Sequence, residues 1–159
     1  LYEKGNMAQS AIGQGEVLAS PIQMALVAST IANDGVLMKP HLVSEVLNPS
    51  GDSVKKIKNE VVNTVTTVEN AKRVKKYMKD TVSRGTAGAA AVDSIAVCGK
   101  TGTADTGRSG EKPHSWFIGF APYENPQVAV AVIVENGGVG GGISTEIAGK
   151  VIREALREK

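Results

Sequence analysis

The chain has 159 residues, 42% of them hydrophobic and 21% charged, with a formal net charge of +2. That composition fits one ordinary globular unit and excludes a disordered chain. The charge is too small and too dispersed to argue for a nucleic-acid partner, and no apolar run reaches the ~18 residues that a bilayer span needs.

The N-terminus, "LYEKGNMAQSAIGQGE", has neither the basic start nor the apolar core of a signal peptide, and it does not open with Met. The chain is therefore expected to belong to something longer. Residues 20–34, "SPIQMALVASTIAND", predict a helix. Ser20 caps it, Pro21 takes the first helical position, Gln23 completes a capping box and Gly35 supplies the stop. Two strand-like runs, 41–48 and 53–58, flank the turn cluster Asn48-Pro49-Ser50-Gly51-Asp52 and predict a hairpin. A second helix is expected over 67–84, with Thr66 and Glu69 as a capping box and Gly85 as its end. Val68, Ala71, Val74, Met78 and Val82 form its apolar stripe, with Lys and Arg on the opposite side as a solvated face.

Three strands follow, at 94–104, 115–121 and 127–135. The last two are joined by Pro122-Tyr123-Glu124-Asn125-Pro126, a link short enough to imply antiparallel pairing. The polar stretch "DTGRSGEKPH" is a loop, and the glycine-rich "NGGVGGG" is a link that leads into a final helix at 144–157, with Ser144 or Thr145 as its cap. The single cysteine, Cys98, reads as a small apolar core residue, and Trp116 as core beside the strand at 94–104. His41 and His114 are far apart and no acidic or sulfur ligand cluster has metal spacing, so neither a metal nor a cofactor is expected.

"VCGKTGTAD", Val97 to Asp105, contains two overlapping signals. Gly-Lys-Thr is the tail of a phosphate-binding loop, but that motif needs a glycine where Ser94 stands and a helix directly after the lysine. Ile95-Ala96-Val97-Cys98 are strand formers and cannot build a phosphate nest. The second signal, Lys-Thr-Gly, belongs with S-x-x-K and S-D-N in penicillin-reactive serine acyltransferases. Placed in a strand, Lys100, Thr101, Gly102 and Thr103 offer a fixed positive charge, two hydroxyls and an open backbone edge. That set suits an extended peptide ending in a carboxylate.

Together with "AQSAIGQGEVLASPIQMALVASTIANDGVLMKPHLV", "VSRGTAGAAA" and "HSWFIGFAPYENPQVAVAVIVENG", this motif resembles the C-terminal part of the transpeptidase domain of class B penicillin-binding proteins, nearly end to end. The resemblance implies an α/β fold of the α+β type: an antiparallel sheet flanked by helices, part of the serine-transpeptidase and β-lactamase-like fold. It implies a peptidoglycan D,D-transpeptidase acting outside the cytoplasmic membrane through a serine acyl-enzyme, with stem peptides and β-lactams as ligands. By the same resemblance Lys100 tunes the site's electrostatics, Thr101 and Thr103 bind the substrate carboxylate, and Gly102 keeps the strand open. The Thr103 backbone N–H is one of two oxyanion donors. Gln14 and Gly15 match the family wording and are assigned helix capping or loop packing, not chemistry. A β-lactam sensor, a β-lactamase of the same fold and a non-catalytic binding module are the alternatives.

The nucleophile is not evident. S-x-x-K occurs at Ser53-Val54-Lys55-Lys56, in a predicted strand where residues three apart point to opposite faces, and at Ser109-Gly110-Glu111-Lys112, in the polar loop and not on a helix; S-x-N does not occur. The serine motifs are expected on a preceding segment, and without that segment the chain is expected to be inactive. A sheet missing those strands exposes an edge, so association with the absent half or with a second copy is expected.

Overall fold

A computed structural model of the chain describes residues 4–157. Its elements run α1 (Lys4–Ala11), α2 (Pro21–Ala32), β1 (Val36–Met38), β2 (Glu45–Leu47), β3 (Ser53–Lys56), β4 (Val61–Thr64), α3 (Val68–Arg84), β5 (Cys98–Ala104), β6 (His114–Ala121), β7 (Val128–Val134) and α4 (Ile143–Arg157). A short 3-10 turn at 88–90 links α3 toward β5.

The centre is an antiparallel sheet of order β5-β6-β7. Side chains alternate along each strand, and the sequence of β6 sorts them onto two faces. Phe117 and Ala121 turn to one face, where they pack with Val97, Val130, Ala148 and Ile152, so α4 covers that side. Phe120 turns to the other, where it packs with Cys98, Met78 and Ile31, so α2 and α3 cover the opposite side. The α4 face of β6 is buried and the opposite face at least half-buried, which is why its sequence reads as a nearly unbroken apolar run. The result is an antiparallel sheet between helical layers, as expected.

Gly99 is a strand residue: a methyl there would collide with the Phe117 ring, which lies over the Gly99–Gly119 pair. Cys98 is fully buried, and burial pushes its thiol up to about 12, so it stays protonated and inert.

The structure departs from the sequence reading at several points. The strand expected from 94 begins only at Cys98. Ser94 takes φ 64° and Ile95 N–H bonds back to Val92, so a tight turn consumes residues 92–95. The cap of α3 is Thr67, whose hydroxyl accepts from Asn70 N–H, and not Thr66. Thr66 is tied to the other side, packed against Gly35 beside the bond from Val65 N–H to Gly35 O. Glu69 pairs with Arg73 instead of completing a box. Ser144 and Thr145 do not cap α4. They are buried inside its first turn and donate to Gly140 O.

Helix α1 and the small sheet β1–β4 had no counterpart in the reading, while the expected hairpin is present as the shorter pair β2–β3. Ser53 lies exposed in β3, on a strand and not on a helix.

The polar side of α3 is also not uniform. Lys75 faces inward, 9% exposed, while Val68 and Val74 are partly in solvent. Lys75 Nζ donates to Asp34 Oδ1 at 2.8 Å, which joins α3 to the end of α2. That end is a left-handed stop shared by Asp34 (φ 53°) and Gly35 (φ 91°), with Gly35 N–H bonding to Thr30 O. The capping box of Ser20 and Gln23 at the other end forms as predicted.

The hydrogen bond from Lys75 holds the Asp34 carboxyl below its ordinary range, against the opposing effect of burial. A depressed carboxylate contributes stability above its unfolded pKa, near ~3.9, and loses it as pH falls through the folded value. Asp34→Asn keeps the shape and tolerates the left-handed backbone but leaves the buried Lys75 charge without a counter-charge. In urea unfolding of the intact protein it is expected to cost about 1–3 kcal/mol at pH 7, between the values for exposed and buried pairs. The difference from wild type should shrink to nothing as pH is lowered below the carboxylate range.

Candidate active-site strand

β5 is the outermost strand of the central sheet, and its far edge meets no other strand among the described residues. Lys100 and Gly102 stand opposite Ile118 and Trp116 on the face toward α2 and α3. Thr101 and Thr103 stand opposite Phe117 and Ser115 on the face toward α4. The four residues that the sequence singled out thus fall together, at an accessible edge. Lys100 and Thr103 are exposed, and Thr101 and Gly102 are half-buried.

The Thr103 carbonyl is reached from outside the sheet by the Gln14 side chain, whose Nε2 donates at 2.9 Å. A strand residue sends its N–H and C=O to the same side, so the Thr103 N–H faces that edge too. Thr101, two residues away, presents its backbone to the same edge, and its carbonyl accepts from Lys100 Nζ at 2.7 Å. Lys100 Nζ also lies 3.4 Å from Thr101 Oγ1. One positive charge is therefore anchored beside the Thr101 hydroxyl, two residues along the strand from the outward Thr103 N–H.

The threonine hydroxyls have partners that sequence reasoning missed. Thr101 Oγ1 lies 3.2 Å from Thr86 Oγ1, in the loop after α3. Thr103 Oγ1 accepts from Gly140 N–H at 3.0 Å. With its acceptor side engaged, the Thr103 hydroxyl keeps its own proton free to donate.

Gly140 belongs to the glycine-rich link before α4, and it lies directly against the backbone of Gly102, so that any side chain at 140 would collide with it. Behind Gly140, its carbonyl accepts from Thr145 Oγ1 at 2.6 Å and Ser144 Oγ at 3.2 Å. Ser144 Oγ in turn lies 2.7 Å from Ser115 Oγ, which lies 3.0 Å from Val139 O, so the two serine protons are shared among these contacts and the one to Gly140 O. Ser115, Ser144 and Thr145 are fully buried. Among the described residues no buried side-chain nitrogen or oxygen lacks a partner, so the knot is fully satisfied. The link is thus a fixed clamp at Gly140 and not a loose tether, which corrects the sequence reading.

Two cavities flank the strand on the α2 side. One, of about 350 Å³, is lined by Lys100, Gly102, Thr103, Met24 and Ile118. The other, of about 590 Å³, is lined by Gln14, Asp105, His114 and Glu135. Trp116 borders both, so it is a half-exposed wall and not core as expected. Gln14 and Thr86 had a visible signal only as wording within the longer matching stretches, and Gly140 only as part of a glycine-rich link. Nothing in their spacing announced a contact with β5. Among the described residues no group of His, Cys, Asp and Glu could hold a metal ion.

Comparison with known proteins agrees with this architecture. The penicillin binding protein transpeptidase domain model matches residues 3–153. The peptidoglycan D,D-transpeptidase PbpA of Mycolicibacterium smegmatis is 36% identical over 99% of the chain and 33% of its own length. Stage V sporulation protein D of Bacillus subtilis is 35% identical over 95% of the chain and 25% of its own length. The crystal structure of PBPA from Mycobacterium tuberculosis superposes with a TM-score of 0.90 at 31% identity, covering 98% of this chain and 38% of that one. Its imipenem acyl-enzyme complex superposes with a TM-score of 0.89 at 30% identity, over 98% of this chain and 35% of that one. The chain spans about a third of the length of the first of these relatives. With the family model matched over nearly its whole length, this chain belongs to the penicillin-binding protein transpeptidase domain family.

Proposed function

We infer that this chain forms the substrate-binding wall of a peptidoglycan D,D-transpeptidase, and that the nucleophilic serine lies on a preceding segment. The observation that supports this best is the outward edge of β5, which no strand covers among the described residues and where Thr103 turns its N–H and C=O outward near the hydroxyls of Thr101 and Thr103 and the Lys100 ammonium. A stem peptide laid along that edge would pair with β5 as an added strand. Its terminal carboxylate would take the Thr101 and Thr103 hydroxyls, with Lys100 supplying the charge.

Attack by a serine oxygen on the carbonyl of the penultimate D-Ala forms a tetrahedral intermediate. Its oxyanion would accept from the Thr103 N–H and a second donor, and collapse would break the peptide bond, leave an acyl-serine and release the terminal D-Ala. The amine of a neighbouring stem peptide would then take the acyl group. An oxyanion donor of this kind contributes about 100- to 1,000-fold in rate. β-Lactams would acylate the same serine, as in the imipenem acyl-enzyme of the M. tuberculosis relative. Gly102 keeps side-chain bulk off the surface where the peptide lies. Such a protein would act outside the cytoplasmic membrane, where peptidoglycan is cross-linked.

The full-length protein that contains this chain is expected to form a covalent adduct with a fluorescent penicillin, visible after denaturing electrophoresis. Residues 1–159 alone should not be labelled at any concentration. An adduct mapped by mass spectrometry to Ser53, or to any other serine of this chain, would contradict the assignment.

The clamp behind β5 gives a second expectation. A methyl group at Gly140 would push against the Gly102 backbone and shift Thr103, and misplacement of a reacting group by about 1 Å costs about 100-fold. In the full-length protein Gly140→Ala should lower the second-order acylation rate by about that factor. Gly5→Ala, where the added methyl meets open space, should leave it unchanged. An unaltered rate in folded Gly140→Ala would remove the clamp from the mechanism.

A further inference from the structure

The carbonyl that Thr103 turns outward is already occupied. Gln14 reaches it from a loop 89 positions earlier in the sequence, and that loop is built to hold still. Gln14 sits between Gly13 (φ 74°) and Gly15 (φ 75°), both in the left-handed region. Its own N–H bonds to Gln9 O at 2.9 Å, and a side chain at Gly15 would run into the Gln9 side chain. The backbone of Gln14 is therefore anchored to the end of α1, while its side chain crosses to the site strand.

A primary amide is the same kind of donor as a peptide N–H. Gln14 Nε2 occupies the Thr103 carbonyl as the N–H of an added strand would. The other outward carbonyl, that of Thr101, is taken by Lys100 Nζ. Both acceptors at the working end of β5 are thus satisfied from within the chain. That arrangement also blunts an edge which would otherwise invite pairing with other chains.

We propose that Gln14 is a displaceable cap on the substrate edge. Its amide holds the Thr103 carbonyl in the free protein and gives way only to a ligand that brings its own N–H to that position. The inference rests on reading β5 as the substrate-binding strand. Gln14 is then a specificity-determining residue that acts by competition. Ligands with an amide N–H must displace it, and ligands without one leave it in place.

The test uses the full-length protein with Gln14→Met, which keeps the length and loses the donor, and Gln14→Ala. Second-order acylation rates are measured for penicillin G, whose acylamino side chain carries an N–H, and for a carbapenem, which has no amide there. Removing the cap should raise the penicillin rate relative to the carbapenem rate by about 2- to 10-fold, the range set by the net worth of one neutral hydrogen bond. A merely structural role would move both rates together and leave their ratio unchanged, which would overturn the proposal. A fall in the ratio would also overturn it, since Gln14 would then be assisting the amide ligand. If wild type is acylated but the ratio stays fixed, the cap fails and the transpeptidase reading stands. If wild type is acylated by neither ligand, both fail.

Discussion

Everything at the site strand depends on the absence of two side chains. Gly140 and Gly102 meet backbone to backbone, and no other residue at position 140 would allow that approach. Close approach lets the Gly140 N–H reach Thr103 Oγ1 and fixes the threonine's rotation. Packing at this density does not yield by small amounts, so the contact sets the position of the strand edge and does not merely accompany it. The glycine-rich stretch before α4, which by composition alone reads as a flexible link, is for this reason tied to β5 at Gly140.

Behind that contact lies a polar layer between β6 and α4. Ser115, Ser144 and Thr145 have no solvent contact, and their hydroxyls are spent on one another and on the carbonyls of Val139 and Gly140. Buried hydroxyls that are fully bonded specify one arrangement, because any shift leaves a donor or acceptor stranded. The apolar core on either side of the sheet supplies cohesion, with Phe117 and Ile152 on one face and Phe120 and Met78 on the other. The polar knot supplies register. On the far side, the pair Lys75–Asp34 plays a comparable part, fixing α3 against the end of α2 and so fixing the loop from which Thr86 reaches Thr101.

The sequence was most legible where local chemistry decides the outcome. Ser20, Pro21 and Gln23 announce the start of α2, and they form the box they predict. The alternation and apolar density of residues 115–134 announce an antiparallel pair. The Lys-Thr-Gly stretch in an extended segment gave the four residues that now lie together at one edge. Legibility failed where partners are distant in sequence. Thr67 and not Thr66 caps α3 because Thr66 is engaged by Gly35, a residue of another element. Lys75 is buried because Asp34, 41 positions away, neutralises it. Gln14 and Gly140 touch β5 across 89 and 37 positions, and no local periodicity encodes such a contact. Wording shared with a family pointed to the stretch that holds Gln14 without saying what it does, and Gly140 read only as part of a flexible link.

The central claim is that the outward edge of β5 is the wall against which the substrate is held. A crystal structure of the full-length protein acylated by a β-lactam tests it most directly. The ligand's carboxylate should lie within hydrogen-bond reach, about 3 Å, of the Thr101 and Thr103 hydroxyls, and its acyl carbonyl oxygen should accept from the Thr103 N–H. An acyl group whose oxygen turns away from β5, with the Thr103 N–H left unengaged, would contradict the assignment.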